Sequence, residues 1–195
     1  MILTAAISFL LRKLFNYLHI MKLTCTVLFA LLATFGFAQE NQKIQWMTWD
    51  EAIQQNQVEE KIIFVDVYTN WCGWCKKMDA TTFKNPKIVD YMNENYYAVK
   101  FNAEQRESIT FNGQEFKFVP NGRRGSHELA AALLDGRMSY PSYAFIGKPW
   151  DKTVVPGYMG AKDFGCVLKY FVEGAPEGVT YEDYKVEGCA VASTD

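Results

Sequence analysis

The sequence predicts an α/β domain with a central mixed β-sheet flanked by helices, and three observations carry that prediction. A nearly continuous apolar run at residues 62–68 reads as a central strand covered on both faces. Strand, helix and strand then follow one another from Ile62 to Asn102, the order of a right-handed crossover with a parallel pair. A later strand, Tyr143 to Ile146, is followed across a Pro149-containing turn by Thr153 to Pro156, which reads as its antiparallel partner and makes the sheet mixed.

The chain has 195 residues, 49% hydrophobic and 15% aromatic, with a formal charge of −2, as expected of an ordinary globular protein. Residues 1–38 stand apart: they hold no acidic residue, three basic ones (Arg12, Lys13 and Lys22) and two apolar runs. From Met21, a short basic start, an apolar core and the small residues Gly36 and Ala38 before Gln39 predict a signal peptide cleaved after Ala38. Export to the periplasm or another extracytoplasmic space is the corresponding expectation. Met1 and Met21 both suit a start. An uncleaved membrane anchor is the alternative reading, against which the core is shorter than the roughly 20 residues of a comfortable span. Cys25 receives no role. Residues 39–174 are then the folded domain and 175–195 a tail without periodicity. Without residues 1–38, 17 basic and 22 acidic residues leave −5, which argues against a nucleic-acid partner. A chain of this size buries enough surface to need no metal or disulfide staple, so its cysteines are free for chemistry.

The elements follow in order. Thr48-Trp49-Asp50-Glu51 is a capping box that opens a helix through about Gln57. The strand Ile62 to Tyr68 follows, interrupted by Asp66, and runs into a helix beginning near Cys72. Asn85-Pro86 starts another helix, with Ile88, Val89 and Met92 at helical spacing to about Glu94, and the strand Tyr96 to Asn102 comes next. Asn112-Gly113 marks a small hairpin within Ser108 to Val119, and residues 121–125 read as loop. Ser126 and His127 lead into a helix, Glu128 to Leu134, ended by Gly136. The last helix, Ala161 to Val172, places Phe164, Val167, Leu168 and Phe171 on one core-facing stripe. Trp46 and Trp49 read as packing residues around the first helix.

The chemistry centres on Cys72-Gly73-Trp74-Cys75. A cysteine at a helix N-terminus meets unpaired backbone N–H groups and the positive end of the helix dipole, which favour the thiolate. Cys72 is the expected nucleophile, ionised and accessible. Cys75 lies three residues along the first turn, close enough to close a small disulfide ring, and is the expected resolving thiol.

With these residues in view, the chain resembles the thioredoxin superfamily, and within it the exported thioredoxin-like proteins with a WCGWCKxM signature. The likeness spans roughly Lys61 to Gly174 and is most specific at Trp71 to Lys76. It implies a thioredoxin-like fold with an insert before the cis-proline strand, and thiol–disulfide oxidoreductase activity on exported proteins. It also implies roles for particular residues. Asp66 matches the family's buried aspartate, which takes the proton of the resolving thiol, and Lys100 matches the lysine beside it. Pro141 matches the cis-proline, with Tyr140 before it, so that Trp71, Gly73, Trp74, Tyr140 and Pro141 form the substrate-binding set. An aspartate in an apolar strand must raise its pKa or find a cation, and either result makes a usable proton acceptor near a thiol. A plain Asp66–Lys100 ion pair and a trans Pro141 on an edge strand are the structural alternatives.

Two departures from the family stand out. Trp74 occupies the place of proline before the second cysteine, so the motif does not set the direction of electron flow. The 38 residues between Asn102 and Pro141 exceed the family's needs, and this insert either forms a partner surface or lengthens a connection. No cofactor is implied. Cys166, Cys189 and His127 show no paired zinc-ligand spacing, and Lys76 stands where a haem-attachment motif requires histidine. A copper-delivery protein would want a wider cysteine spacing, and His127 reads as a helix N-terminal or surface residue. Cys166 and Cys189 either pair and tether the tail or stay apart. The expected partners are protein dithiols or disulfides and a redox partner, met by a monomer; the membrane enters only through an uncleaved N-terminus. A binding or holdase module with a non-catalytic cysteine pair is the alternative function.

Overall fold

The computed structural model describes residues 43–122, 124–147 and 150–174, together with Tyr17, Met21, Asp183 and Tyr184. The chain divides into two units, 1–41 and 42–195. Of the first, Tyr17 and Met21 are described, both exposed; the expected signal peptide otherwise lies outside the described residues, as does most of the tail with Cys189. No helix among the described residues is long and apolar enough to cross a membrane.

Unit 42–195 is built on a five-stranded sheet in the order β1-β3-β2-β8-β9. Its strands are β1 (Trp46–Met47), β2 (Ile62–Tyr68), β3 (Tyr96–Asn102), β8 (Ser142–Ile146) and β9 (Lys152–Pro156). β3 pairs in parallel with β1 and β2, whereas β8 pairs antiparallel with β2 and β9. The mixed sheet expected from sequence is therefore present, with β1 as an added edge too short for periodicity to reveal.

Side chains alternate across a pleated sheet, and the two faces have different partners. Ile63, Val65 and Val67 join Tyr97, Val99, Phe101 and Ala144 beneath α1 (Trp49–Val58) and α4 (Glu128–Leu133). Phe64, Ala98, Tyr143 and Phe145 face α2 (Gly73–Ala80), α3 (Pro86–Asn95), α5 (Ala161–Glu173) and the 3-10 turn Thr82–Lys84. Phe64 is the hub of this second layer, with the rings of Phe83, Tyr143, Phe145 and Phe164 between 5.3 and 6.3 Å away. Trp46 packs here too, 5.3 Å from Phe83, rather than around the first helix, while Trp49 lies in the other layer.

Local signals place the helices. Thr48 Oγ1 accepts the Glu51 N–H at 3.3 Å and Glu51 accepts the Thr48 N–H at 2.8 Å, closing the capping box. Asn85 caps α3, with Pro86 at its first turn. The insert holds two hairpins, where the sequence reading expected one. β4 (Ile109–Phe111) and β5 (Gln114–Phe116) join through Asn112 and Gly113, at φ of 50° and 76°, the left-handed turn that Asn-Gly favours. β6 (Phe118–Asn121) and β7 (Arg124–His127) replace the loop expected over residues 121–125. Pro120 and Gly125, both poor strand residues, face each other there, which hid the pairing.

His127 takes the helix N-terminal place expected of it, as the N-cap of α4, and is buried there rather than at the surface. It is fully buried, its Nδ1 accepts the Leu129 N–H at 3.2 Å, and its Nε2–H donates to the Glu107 carbonyl at 3.0 Å. With one nitrogen accepting and the other donating, the ring is the neutral Nε2–H tautomer. Its backbone N–H also bonds the Ala103 carbonyl at 2.7 Å, tying the insert to the end of β3.

Candidate active site

β2 delivers its last residues to the start of α2, at the edge where the parallel strands end. Cys72 is the N-cap of α2, and its Sγ accepts the Cys75 N–H at 3.0 Å. The two cysteines are joined in a disulfide with Cα atoms 5.3 Å apart. The helix start therefore supplies one N–H directly to the sulfur and aligns its dipole behind it. The expected placement holds, but the expected accessibility does not: Cys72 is only 4% exposed and Cys75 only 3%. The residues between and before the cysteines are open by contrast: Trp71 and Trp74 are exposed, and a Cβ on Gly73 would meet nothing within 4 Å.

Asp66 lies on β2 on the face covered by α2, with Lys100 opposite it on β3 and Tyr143 on β8. It is buried, its Oδ2 is 3.2 Å from Lys100 Nζ, and its Oδ1 has no hydrogen-bond partner. Burial pushes its pKa up to about 6 against the opposing pull of the Lys100 ammonium. Both sequence readings of Asp66 thus meet in one group: it is ion-paired and also a raised-pKa carboxylate.

A residue the sequence reading missed completes this cluster. Asp79, near the end of α2, also pairs with Lys100, so one ammonium links β2, β3 and the helix that carries Cys75. The signal was present: Asp79 follows Cys75 by four residues, which puts both on one helical face. Lys100 also sits 4.9 Å from the Trp46 ring and 5.3 Å from that of Tyr68.

The outer side of the site is aromatic. Trp71 is 51% and Trp74 56% exposed. The Trp71 ring meets Tyr140 edge-on at 5.8 Å, and its Nε1–H donates to Glu104 at 3.0 Å. The Tyr140–Pro141 bond is cis, and Gly157 N–H donates to the Pro141 carbonyl at 2.9 Å. Of the expected substrate-binding set, Trp71 and Tyr140 are brought into contact, Gly73 and Trp74 form the first turn of α2, and the Trp74 ring lies 5.2 Å from Tyr158. Cys166 is buried on α5 and disulfide-bonded; Cys189, which on the sequence reading either pairs with it or stays apart, lies outside the described residues.

A family model described as Thioredox_DsbH, protein of unknown function, DUF255, matches residues 31–143. An uncharacterized Caenorhabditis elegans protein is 30% identical over 86 residues, which cover 44% of this chain and 12% of that one. Spermatogenesis-associated protein 20 of Rattus norvegicus is 33% identical over 67 residues, 34% of this chain and 8% of the relative. The chain thus spans a small fraction of the length of these curated relatives. Among solved structures, one titled DsbH Oxidoreductase aligns with TM-score 0.50 and 14% identity over 72% of this chain and 94% of that one. A solution structure from Bacteroides thetaiotaomicron, provisionally assigned as a disulphide-isomerase, aligns with TM-score 0.50 and 23% identity, covering 71% of this chain and 100% of that one. At these identities the structural likeness establishes a thioredoxin fold.

Proposed function

The chain belongs to the Thioredox_DsbH (DUF255) family of thioredoxin-like proteins, and from that premise we propose that it exchanges disulfides with exported protein substrates through Cys72 and Cys75. The observation that carries this reading is the Cys72 sulfur at the N-cap of α2, accepting the Cys75 N–H at 3.0 Å. A sulfur so placed is stabilised as the thiolate, the species that attacks disulfides.

In the reduced protein, the Cys72 thiolate attacks one sulfur of a partner disulfide. A Cys72–partner bond forms, the partner S–S bond breaks, and the other partner sulfur leaves as a thiolate. Cys75 then gives its proton to Asp66, directly or through water, and attacks Cys72 Sγ. The mixed disulfide breaks, the second partner sulfur departs, and the Cys72–Cys75 disulfide remains; two electrons have passed to the partner. The reverse sequence oxidises a partner dithiol through the same steps, and the potential of the pair against its compartment sets the net direction. Lys100 keeps Asp66 within reach of ionisation near neutral pH. Trp71, Gly73, Trp74, Tyr140 and Pro141 line the approach of the partner.

Reduction of a protein disulfide by the prereduced chain tests this. Cys72→Ser should lower turnover by at least about 100-fold, and Cys75→Ser should accumulate the mixed disulfide. Wild-type turnover in Cys72→Ser would overturn the reading. A holdase is the second reading, favoured by the exposed rings of Trp71 and Trp74; client binding that persists undiminished when both cysteines are serine, without any exchange activity, supports it.

A further inference from the structure

Both exposed tryptophans beside the disulfide carry a cation on the ring. Arg124 Cζ lies 4.8 Å from the Trp71 centroid, and Lys77 Nζ lies 5.0 Å from that of Trp74 and 5.0 Å from that of Tyr158. Trp71 and Trp74 flank Cys72 in the chain, one residue before it and two after, so each of the two rings next to the reactive cysteine in sequence carries its own cation. Among the described residues neither cation is ion-paired. Stacking on an aromatic face orients a charge without neutralising it.

The local balance contrasts with the chain as a whole. The protein carries a formal −2, yet Lys76, Lys77 and Arg124 are all exposed at or beside the motif. Of the neighbouring carboxylates, Glu104 accepts the Trp71 indole N–H and Asp79 pairs with Lys100. Arg124 comes from the second hairpin of the insert, and its position there is well held. A Cβ on the adjacent Gly125 would lie 2.3 Å from the Phe118 ring, so the hairpin closes tightly at this point, and His127 ties the end of β7 to the end of β3.

We propose that this rim is a docking surface for an extended polypeptide with carboxylate side chains on both sides of its reactive cysteine, gripped by Arg124 on one side and Lys77 on the other. The insert is then a recognition element rather than a lengthened connection. The inference rests on the disulfide-exchange reading and names its substrate class. Complementary rim charges act mainly on encounter and on choice of partner, and they weaken with salt.

The test uses the full prereduced chain in single turnover with three disulfide-bridged peptides that differ only in flanking residues, Glu, Gln or Lys. In each reaction the protein dithiol gives two electrons and two protons to the peptide disulfide, which becomes a dithiol. The second-order rate constant should fall from the Glu to the Lys peptide by about 10-fold at low ionic strength, and the spread should close near 0.5 M salt. K77Q/R124Q should bring the three peptides within about 2-fold of one another, and K77R/R124K should restore the order. Equal rates for Glu and Lys peptides with the wild-type chain, or a preference that survives in K77Q/R124Q, would overturn the docking surface alone. Reduction of none of the peptides would overturn disulfide exchange itself.

Discussion

Charges lie both beneath the Cys72–Cys75 disulfide and around it, and the two sets have opposite fates. Beneath it, Asp66, Lys100 and Asp79 are drawn together at the sheet, and burial raises the Asp66 pKa to about 6. Around it, Arg124 and Lys77 lie on exposed tryptophan rings without ion pairs among the described residues. The inner set is desolvated, so its charges change proton affinity and stability; the outer set stays hydrated, so on the docking proposal its charges would steer partners at little cost to folding. On the proposed function, access to water decides whether such charged groups suit proton transfer or recognition.

The sharpest way to break this contrast is at Asp66. Asp66→Asn should slow release of the mixed disulfide by about 100-fold at pH 8, with attack by Cys72 much less affected, as stopped-flow measurement of the two phases would show. The wild-type release step should also weaken as pH falls through about 6, where Asp66 takes up a proton. Equal effects on both phases would place Asp66 outside the proton transfer.

The same substitution should stabilise the fold at neutral pH. The folded Asp66 pKa is raised from 3.8 to about 6, so the folded state binds the proton more tightly than the unfolded chain. Its favourable contribution is therefore complete below about pH 4 and lost as pH rises through about 6. Asp66→Asn removes this loss and leaves Lys100 paired with Asp79. Denaturant titration at pH 7.5 should show a gain on the order of 2 kcal/mol.

Lys100→Met sharpens the comparison from the other partner. Lys100 lowers the Asp66 pKa through charge and hydrogen bonding, so its removal should move the pH midpoint of the release step upward from about 6. An unmoved midpoint would separate Lys100 from the titration. On the outer side, Arg124→Gln should change unfolding free energy by less than about 0.5 kcal/mol, because the group is exposed and not ion-paired among the described residues. A loss as large as the about 1 kcal/mol expected for removing the helix cap with Thr48→Ala would show Arg124 to be a structural residue.

What the chain order determined by itself is everything governed by neighbours in sequence. The apolar run of β2, the Thr48 capping box, the Asn112-Gly113 turn, the Asn85-Pro86 helix start and the placement of Cys72 at the N-cap of α2 all follow from contacts within a few residues. Even the Asp66–Lys100 pair was legible, because family resemblance and the cost of a lone buried carboxylate pointed to the same residues. Tertiary structure alone decided the rest. Asp79 joins Lys100 from 21 residues away, Arg124 reaches Trp71 from the insert, the second hairpin pairs Pro120 with Gly125, and His127 disappears into the core. The low exposure of Cys72 belongs with these. Burial and long-range contact depend on which surfaces the folded chain brings together, and a local pattern of residue types contains no record of that choice.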